Sequence, residues 1–483
     1  MRKKIISILT VLTVFFLFTT VSCSYQRSIP PEKTPTPQSK GRQEQNTPEP
    51  DRNTPVPGRP GQDQDNLTKS DKAAVEENVN GFDISDDEQI TDTAESLKMT
   101  QLNTGISQTE VKQITAAESG SPESTVLLEY NTQLPDEIKY AVQYTKYYLT
   151  YDYFLVTGEQ EVPIRQSPDP NSAEVCRTYN GEKLALHQKV SGNAADGSDV
   201  WYKVSCKSDG TVATGYIPSA LGITRKFQFD KMLASLKYLQ QQVSQGKLNH
   251  INNYKNVNGA PPKKGNTATD EFGMRIYQSA PGYFQADTNS DYRYVPDGML
   301  VRILGESGDL YRVAVDSFSK ELYVPKKYID PNNALSRLTH VVIVDRGQQN
   351  QPAAFELSAN EIRMVSYTLA TTGLKSGSSF ETPLGFYRAL EKRDRFQYLK
   401  DGSSDIAGYA PFATRFSGGA YIHGVPVNYV EKDGEQVDPG IQEYLQTIGT
   451  FPRSHMCVRN FSSHAEFIYN WLDTSSGAII VME

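Results

Sequence analysis

Close to its end the chain reads Ser454-His455-Met456-Cys457-Val458-Arg459, and Ile422-His423-Gly424 lies upstream. Cysteine attacks as its thiolate, and only about 3% of an unperturbed thiol is in that form at pH 7. A neighbouring imidazolium or guanidinium raises this fraction, and a hydrogen-bonded imidazole can carry the proton. The residues around Cys457 therefore indicate a nucleophilic thiol. On spacing alone, a buried structural cysteine beside a surface histidine and arginine remains an alternative.

Three further motifs precede this stretch: His340–Asp345 (a candidate strand), Thr371-Thr372-Gly373 (a candidate turn), and Thr382-Pro383-Leu384-Gly385 with Tyr387. In this order, the motifs resemble the L,D-transpeptidase catalytic domain, a family of cysteine enzymes that cross-link peptidoglycan. The family signature is Ile-His-Gly, then Ser/Thr-His-Gly-Cys followed by an apolar residue and Arg or Asn. This chain matches it at every position except Met456. The resemblance covers residues 337–483.

The resemblance implies a two-step acyl transfer. Cys457 would attack the carbonyl of a diaminopimelate or lysine residue in a donor stem tetrapeptide, release D-alanine and form a thioester. An amine of an acceptor stem would then resolve the acyl-enzyme. The implied partners are thus peptidoglycan stem peptides as donor and acceptor. The resemblance implies that His423 is the general base and that the carbonyl of Gly424 orients its imidazole. The backbone N–H groups of Met456 and Cys457 would bind the oxyanion, and Ser454 and His455 would support their loop. Arg459 would shape the pocket or bind a substrate carboxylate.

Two departures from the family pattern bear on this mechanism. Met456 replaces a glycine, and a positive φ there would cost about 1 kcal/mol and misaim an oxyanion N–H. The separation between His423 and Ser454 is about twice that usual in the family. We therefore predict that residues 430–448 form an inserted flap over the cleft, which would help to select acceptors. A surface insertion without a role is the alternative.

Other functional classes share parts of the pattern. A sortase has His, Cys and Arg in this order at larger separations, and papain-like wall endopeptidases place Cys before His. A non-catalytic wall-binding protein of the same fold, disabled by Met456, is a second alternative. An L,D-carboxypeptidase, in which water resolves the same thioester, is a third. The combined motifs favour an L,D-transpeptidase.

The N-terminal residues indicate export. Residues 1–23 combine the basic Arg2-Lys3-Lys4 with an apolar run, residues 5–18, that is shorter than the roughly 20 residues of a membrane-spanning helix. The segment ends in Thr20-Val21-Ser22-Cys23, which resembles a lipoprotein cleavage box with Cys23 lipidated. An uncleaved anchor and plain secretion are the alternatives. All three place the bulk of the chain in the extracytoplasmic cell envelope, and lipidation would anchor it to the membrane facing the cell wall.

The composition separates a polar leader from the remaining chain. Residues 24–125 are rich in Pro, Gln, Asn, Asp and Thr without apolar periodicity, which predicts a disordered tether. A leader without selected length is the alternative. The length of 483 residues allows two to four domains, and the net charge of -8 argues against a nucleic-acid partner. The six histidines are scattered, so we predict no metal site and no cofactor.

The middle of the chain predicts small β-units. Residues 126–226 read as a helix, carrying Tyr140, Tyr144, Tyr147 and Tyr151 on one face, plus a β-barrel that resembles a bacterial SH3-like domain. We expect this helix to pack on the domain that follows it, and a glycan-stacking platform is the alternative for the tyrosines. Residues 227–266 read as a helix, 229–245, and a linker. Residues 267–336 resemble a second SH3-like domain. The first barrel contains Cys176 and Cys206, which would form a disulfide outside the cytoplasm or remain two buried thiols.

The predicted fold class is therefore mainly β: two small SH3-like β-barrels followed by a β-sandwich-type catalytic domain, 337–483, with a C-terminal helix. Ser463-x-x-Glu466 predicts a capping box at the start of that helix. The helix would end near Asp473 and lead into a final strand, 478–482. His464 falls inside the cap, so we interpret it as structural or solvent-facing.

Overall fold

The computed structural model describes residues 124–147, 149–158, 161–208, 211–263, 267–376, 379–399 and 405–483. The predicted export signal with Cys23, nearly all of the predicted tether, and Tyr148 lie outside these residues. The described part of the chain is mainly β, which confirms the predicted fold class, and it contains two α-helices. No helix in this part is long and apolar enough to cross a membrane.

The first β-unit forms one sheet, in the order β5-β4-β8-β7-β6-β3-β9, with β1 paired to β6. Its inward-facing side chains, among them Phe154, Ile164 and Leu184, are fully buried. In the structure Cys176 and Cys206 are joined as a disulfide. The strands of this region are Val126–Glu129 (β1), Ile138–Tyr140 (β2), Asp152–Val156 (β3), Val162–Arg165 (β4), Glu174–Thr178 (β5), Lys183–Ala195 (β6), Ser198–Ser208 (β7), Thr211–Pro218 (β8) and Gly222–Lys226 (β9), with a 3₁₀ helix at Ser219–Leu221.

A helix links this unit to the second β-unit. Helix α1, Phe229–Ser244, ends within one residue of the prediction, and its apolar stripe of Met232, Leu233, Leu236 and Leu239 packs into the core. The second sheet has the order β10-β13-β14-β15-β11-β12. Its strands are Asn249–His250 (β10), Ser279–Tyr283 (β11), Tyr292–Pro296 (β12), Leu300–Ser307 (β13), Leu310–Val315 (β14) and Lys320–Pro325 (β15), with 3₁₀ helices at Tyr254–Asn256, Asp316–Phe318 and Lys326–Tyr328.

Two predictions for these units are wrong. Neither sheet closes into a barrel within the described residues, because each strand order ends in two edge strands that do not pair with each other. The edge strand β9 instead leads into Phe227, whose ring packs against Tyr367 of the C-terminal region at 5.2 Å. The described part of the predicted linker, residues 246–263, is also built into the fold: β10 pairs with β13, and the buried amide of Asn253 donates to the carbonyl of Ser279. The amide of Asn253 is therefore satisfied within the protein rather than by solvent.

The C-terminal region is a sandwich of two sheets, β2-β18-β17-β16-β28-β20 and β19-β27-β23-β22-β21, with β24 paired to β22. Val342 and Ile479 of the first sheet share a buried apolar layer with Ile422 and Val458 of the second. Its elements are His340–Asp345 (β16), Gln351–Leu357 (β17), Ile362–Tyr367 (β18), Ala370–Thr371 (β19), Gly385–Arg388 (β20), Glu391–Leu399 (β21), Ile406–Arg415 (β22), Tyr421–His423 (β23), Val427–Asn428 (β24), Val430–Lys432 (β25), Glu435–Val437 (β26), Val458–Asn460 (β27), Ser462–Trp471 (α2) and Gly477–Met482 (β28).

The predicted tyrosine helix is instead extended chain. Strand β2 pairs in parallel with β18 and so extends the C-terminal sandwich. Tyr144, Tyr147 and Tyr151 are buried in the core, whereas Tyr140 is 56% exposed. The ring of Tyr147 stacks on Phe461 at 4.0 Å. The rings of Tyr144 and Tyr147 therefore pack on the C-terminal region, and the expectation that they pack on the domain that follows them is wrong. The spacing misidentified the element because the sheet edge of β18 offers backbone partners that the local sequence does not reveal.

The predicted capping box is also wrong. Helix α2 has Phe461 at its N-cap and no side-chain cap. Ser463 Oγ donates to Glu443 Oε1 at 2.5 Å, and the Ser463 N–H donates to the other oxygen of that carboxylate at 3.2 Å. A carboxylate distant in sequence thus takes the place of the predicted local partner. His464 is fully buried, with Nε2 3.1 Å from Ser366 Oγ, so its role is structural.

Candidate active site

Strand pairing places the predicted nucleophile and base on one face of a sheet. Strand β23 runs parallel to β27, with Ile422 opposite Val458 and His423 opposite Arg459. Side chains alternate along a strand. Ile422 and Val458 enter the apolar layer of the sandwich, whereas Tyr421 and Cys457 pack together on the opposite side. His423 and Arg459 therefore lie on the same face as Cys457.

His423 is oriented as a neutral imidazole. Its Nδ1 lies 2.6 Å from the carbonyl oxygen of Gly424, so Nδ1 carries the hydrogen and donates it. This bond leaves Nε2 as the basic nitrogen. Burial lowers the pKa of His423 to about 3, which the bond to Gly424 partly offsets. The ring is thus unprotonated at neutral pH.

Cys457 is held as a neutral thiol. Its S–H donates to the carbonyl of Gly419 at 3.5 Å. Burial raises the pKa of Cys457 to about 11, although a backbone N–H of Tyr421 and the charge of Arg459 act in the opposite direction. Arg459 therefore acts in the expected direction, but desolvation outweighs it, so the resting thiolate fraction is not raised. The proton must leave during attack, which requires a general base.

This protonation state predicts the pH dependence of Cys457 alkylation. Below a pKa near 11, the thiolate fraction rises about tenfold per pH unit. We expect the second-order rate constant with iodoacetamide to rise by about this factor per unit from pH 7 to 9. The rate is measured by intact mass in a Cys23→Ser variant with the disulfide intact. A rate that is already constant at pH 7 would instead indicate a thiolate–imidazolium pair.

The catalytic loop tolerates methionine at position 456. The φ of Met456 is not positive, so the predicted strain is absent. Ser454 Oγ donates to the backbone carbonyl of Cys457, which ties the loop across itself. The Gly373 N–H donates to Thr382 Oγ1 at 2.8 Å, and a Cβ on Gly373 would lie 2.9 Å from Met456 Cα. The Thr-Thr-Gly and Thr-Pro motifs thus meet beside this loop.

The two remaining predicted residues flank the loop. Arg459 is buried, and its charge acts on both Cys457 and His423. This placement fits a role in shaping the pocket. The imidazole of His455 is buried beside the ring of Phe380, 5.7 Å away, and the carbonyl of His455 accepts the Phe380 N–H at 3.3 Å. This placement fits the expected support of the loop. Among the described residues, no group of three or more His, Cys, Asp or Glu side chains could hold a metal ion.

Residues 339–481 match the family model of the L,D-transpeptidase catalytic domain, YkuD. The C-terminal region is an L,D-transpeptidase catalytic domain. The matched range agrees with the range indicated by the motifs, and the family consists of cysteine-dependent transpeptidases that act on peptidoglycan peptides.

Comparison with whole proteins adds little. No curated protein sequence matches the chain. A solved structure of a fused Zn-dependent amidase/peptidase/peptidoglycan-binding domain-containing protein from Clostridium acetobutylicum is similar, at 16% identity and a TM-score of 0.20. The similarity covers 30% of this chain and 51% of that one, so this chain spans about half the length of that structure. It supports no conclusion about the chain.

The insertion predicted as a flap in the L,D-transpeptidase domain, residues 430–448, consists of an exposed half and a buried half. Strands β25 and β26 form an exposed two-stranded hairpin. Asp438 beyond the hairpin accepts hydrogen bonds from Arg395 at 2.8 Å and Tyr409 at 3.1 Å. Tyr444 and Ile448, in contrast, are buried in the core. The second half of the insertion is therefore structural.

Nothing in the sequence indicated the contacts that the two upstream β-units make with the catalytic domain. From the first unit, Lys183 Nζ donates to the carbonyl of Ile448 at 2.7 Å and Arg225 to that of Gly449 at 2.8 Å. From the second unit, Arg275 Nη1 lies 3.5 Å from Met456 Sδ. These cations read as ordinary strand residues, and no local signal distinguishes them.

Proposed function

We propose that this chain is an L,D-transpeptidase that forms peptidoglycan cross-links through a thioester on Cys457. The observation that carries the proposal is the arrangement of Cys457 and His423 on one sheet face, with Nδ1 of the imidazole bound to the Gly424 carbonyl. A base with its tautomer set, on the same sheet face as a neutral thiol, suits proton transfer during attack.

The residues support a balanced sequence of steps. His423 Nε2 takes the thiol proton as Sγ attacks the carbonyl of the diaminopimelate or lysine residue in a donor tetrapeptide. The backbone N–H groups of Met456 and Cys457 bind the oxyanion. The imidazolium then protonates the amine of the departing D-alanine, which leaves the thioester. An amine of an acceptor stem attacks this thioester, His423 accepts the amine proton, and the proton returns to Sγ.

The proposed location is the outer face of the membrane, with Cys23 lipidated and residues 24–125 as a tether toward the cell wall. The export signal in residues 1–23 supports this proposal. The Cys176–Cys206 disulfide supports it as well, because disulfides persist in oxidising compartments outside the cytoplasm. An anchored enzyme that acts on wall peptides needs such reach.

Intact mass after incubation with a carbapenem tests the nucleophile, because the strained β-lactam carbonyl acylates an activated thiol. We expect one adduct on the wild-type chain and none on a Cys457→Ala variant. Incubation with a donor tetrapeptide should then release D-alanine and, with an amine acceptor, form a cross-linked product. No adduct and no D-alanine from folded wild-type protein would favour a non-catalytic wall-binding protein. D-alanine release without cross-linked product would indicate an L,D-carboxypeptidase.

A further inference from the structure

The second β-unit reaches the sheet face that carries Cys457. Tyr254 lies in a turn of this unit, residues 253–259, here called the Tyr254 turn. Its hydroxyl is 3.0 Å from the hydroxyl of Tyr421. Tyr421 pairs with Arg415 across β23 and β22, and the Arg415 guanidinium lies 4.0 Å from the centre of the Tyr254 ring. Tyr254 therefore lies over the sheet face that carries Cys457, in contact with Tyr421.

The Tyr254 turn is held in an unfavourable conformation. Lys255 and Asn256 have φ values of 52° and 54°, and nearby Gln278 has 59°. The Lys255 N–H donates to Gln278 Oε1 at 3.0 Å, and the Gln278 N–H donates to Asn256 Oδ1 at 2.9 Å. The Asn253 N–H donates to Asp297 Oδ1 at 2.7 Å. Such strain persists only where the surroundings impose it, and it concentrates at functional sites.

The same cluster contacts the segment that holds the thiol. A Cβ on Gly418 would lie 2.7 Å from Gln278 Cβ, so the second unit abuts this glycine. The next residue, Gly419, accepts the hydrogen bond from the Cys457 thiol. Tyr421, two residues on, directs a backbone N–H at the sulfur and presents its side chain to Tyr254. The thiol is thus oriented by a short segment that the second unit contacts at both ends.

We propose that Tyr254 is a positioning residue of the active site, contributed by the second β-unit. Through its bond to Tyr421, and with Gln278 against Gly418, it keeps residues 418–421 in the arrangement that holds the Cys457 thiol, through the carbonyl of Gly419, on the sheet face that carries His423. Tyr254 touches neither reacting atom, so it acts on the rate of attack rather than on substrate binding. This inference rests on the proposed thioester chemistry.

The test uses the full-length chain and single-turnover acylation of Cys457 by a carbapenem, followed by intact mass. Tyr254→Phe keeps the ring on Arg415 and removes the hydroxyl. We expect it to lower the limiting acylation rate about fivefold, with the half-saturating drug concentration unchanged. Tyr254→Ala should lower the acylation rate further than Tyr254→Phe does. The difference between the two variants then measures what the ring alone contributes. Gly418→Ala displaces the same segment from the other end and should also slow acylation.

The matched control is Tyr292→Phe. It removes a hydroxyl of the same unit that donates to Pro262 at 3.1 Å, and it should acylate within twofold of wild type. Acylation of Tyr254→Phe as fast as that of Tyr292→Phe, or a change only in the half-saturating concentration, would overturn the inference. Absence of any adduct on wild type would instead contradict the proposed function, so the two failures are distinguishable.

Discussion

Replacing His423 with glutamine is expected to lower the rate of thioester formation on Cys457 by about 10²–10⁴-fold. The thiol has a pKa raised to about 11 by burial, so thiolate is scarce at neutral pH. The imidazole, bound through Nδ1 to Gly424, is the group positioned to take the proton. Glutamine fills a similar volume and cannot act as the base. Single-turnover acylation at pH 7 measures the effect.

The control for this prediction is His464→Gln. His464 is also a fully buried imidazole, but it belongs to helix α2 and bonds to Ser366 away from the thiol. We expect this variant to lose stability while its folded fraction acylates within severalfold of wild type. The rate of the His423 variant should also rise with pH as thiolate forms. Equal rates for the two variants would exclude His423 as the general base.

Replacing Asp297 with alanine is expected to lower the free energy of unfolding by about 3–5 kcal/mol. Asp297 Oδ2 pairs with Arg415 Nη1 at 2.5 Å, and the two side chains are 1% and 10% exposed. The pair joins the second unit to the catalytic sheet. Removing the carboxylate leaves a largely buried guanidinium that has Glu391 as its remaining carboxylate partner, at 2.9 Å. The shift in the denaturant midpoint measures the loss.

An exposed ion pair provides the comparison. Glu137 and Lys237 lie 3.0 Å apart with both side chains at least half exposed. Glu137→Ala should leave the midpoint within error, because solvent screens such pairs. The double variant Asp297→Leu with Arg415→Met should recover part of the stability, since apolar groups can replace a buried pair. A midpoint for Asp297→Ala equal to that of Glu137→Ala would contradict the prediction.

Local patterns were sufficient for the catalytic domain and for helix α1. Ser454 to Arg459 form one short segment, so the order of residues around the thiol follows directly from the sequence. The apolar stripe of α1 repeats at helical spacing, and its residues are the buried ones. Spacing was misleading where a segment pairs with a strand far away in the sequence. The tyrosines of 140–151 are the clearest case, because their segment pairs with β18, more than 200 residues away in sequence.

The sequence by itself identified the family of the catalytic domain and predicted its nucleophile and base, because these depend on residue types at short and regular separations. The tertiary structure decided the charge state of the thiol, since burial outweighs the nearby cations and raises the pKa of Cys457. It also decided which side chains of the upstream units contact the catalytic domain: Tyr254 and Arg275 of the second unit and Lys183 of the first. Desolvation and contacts between distant segments depend on how the whole chain packs, and no local pattern encodes them.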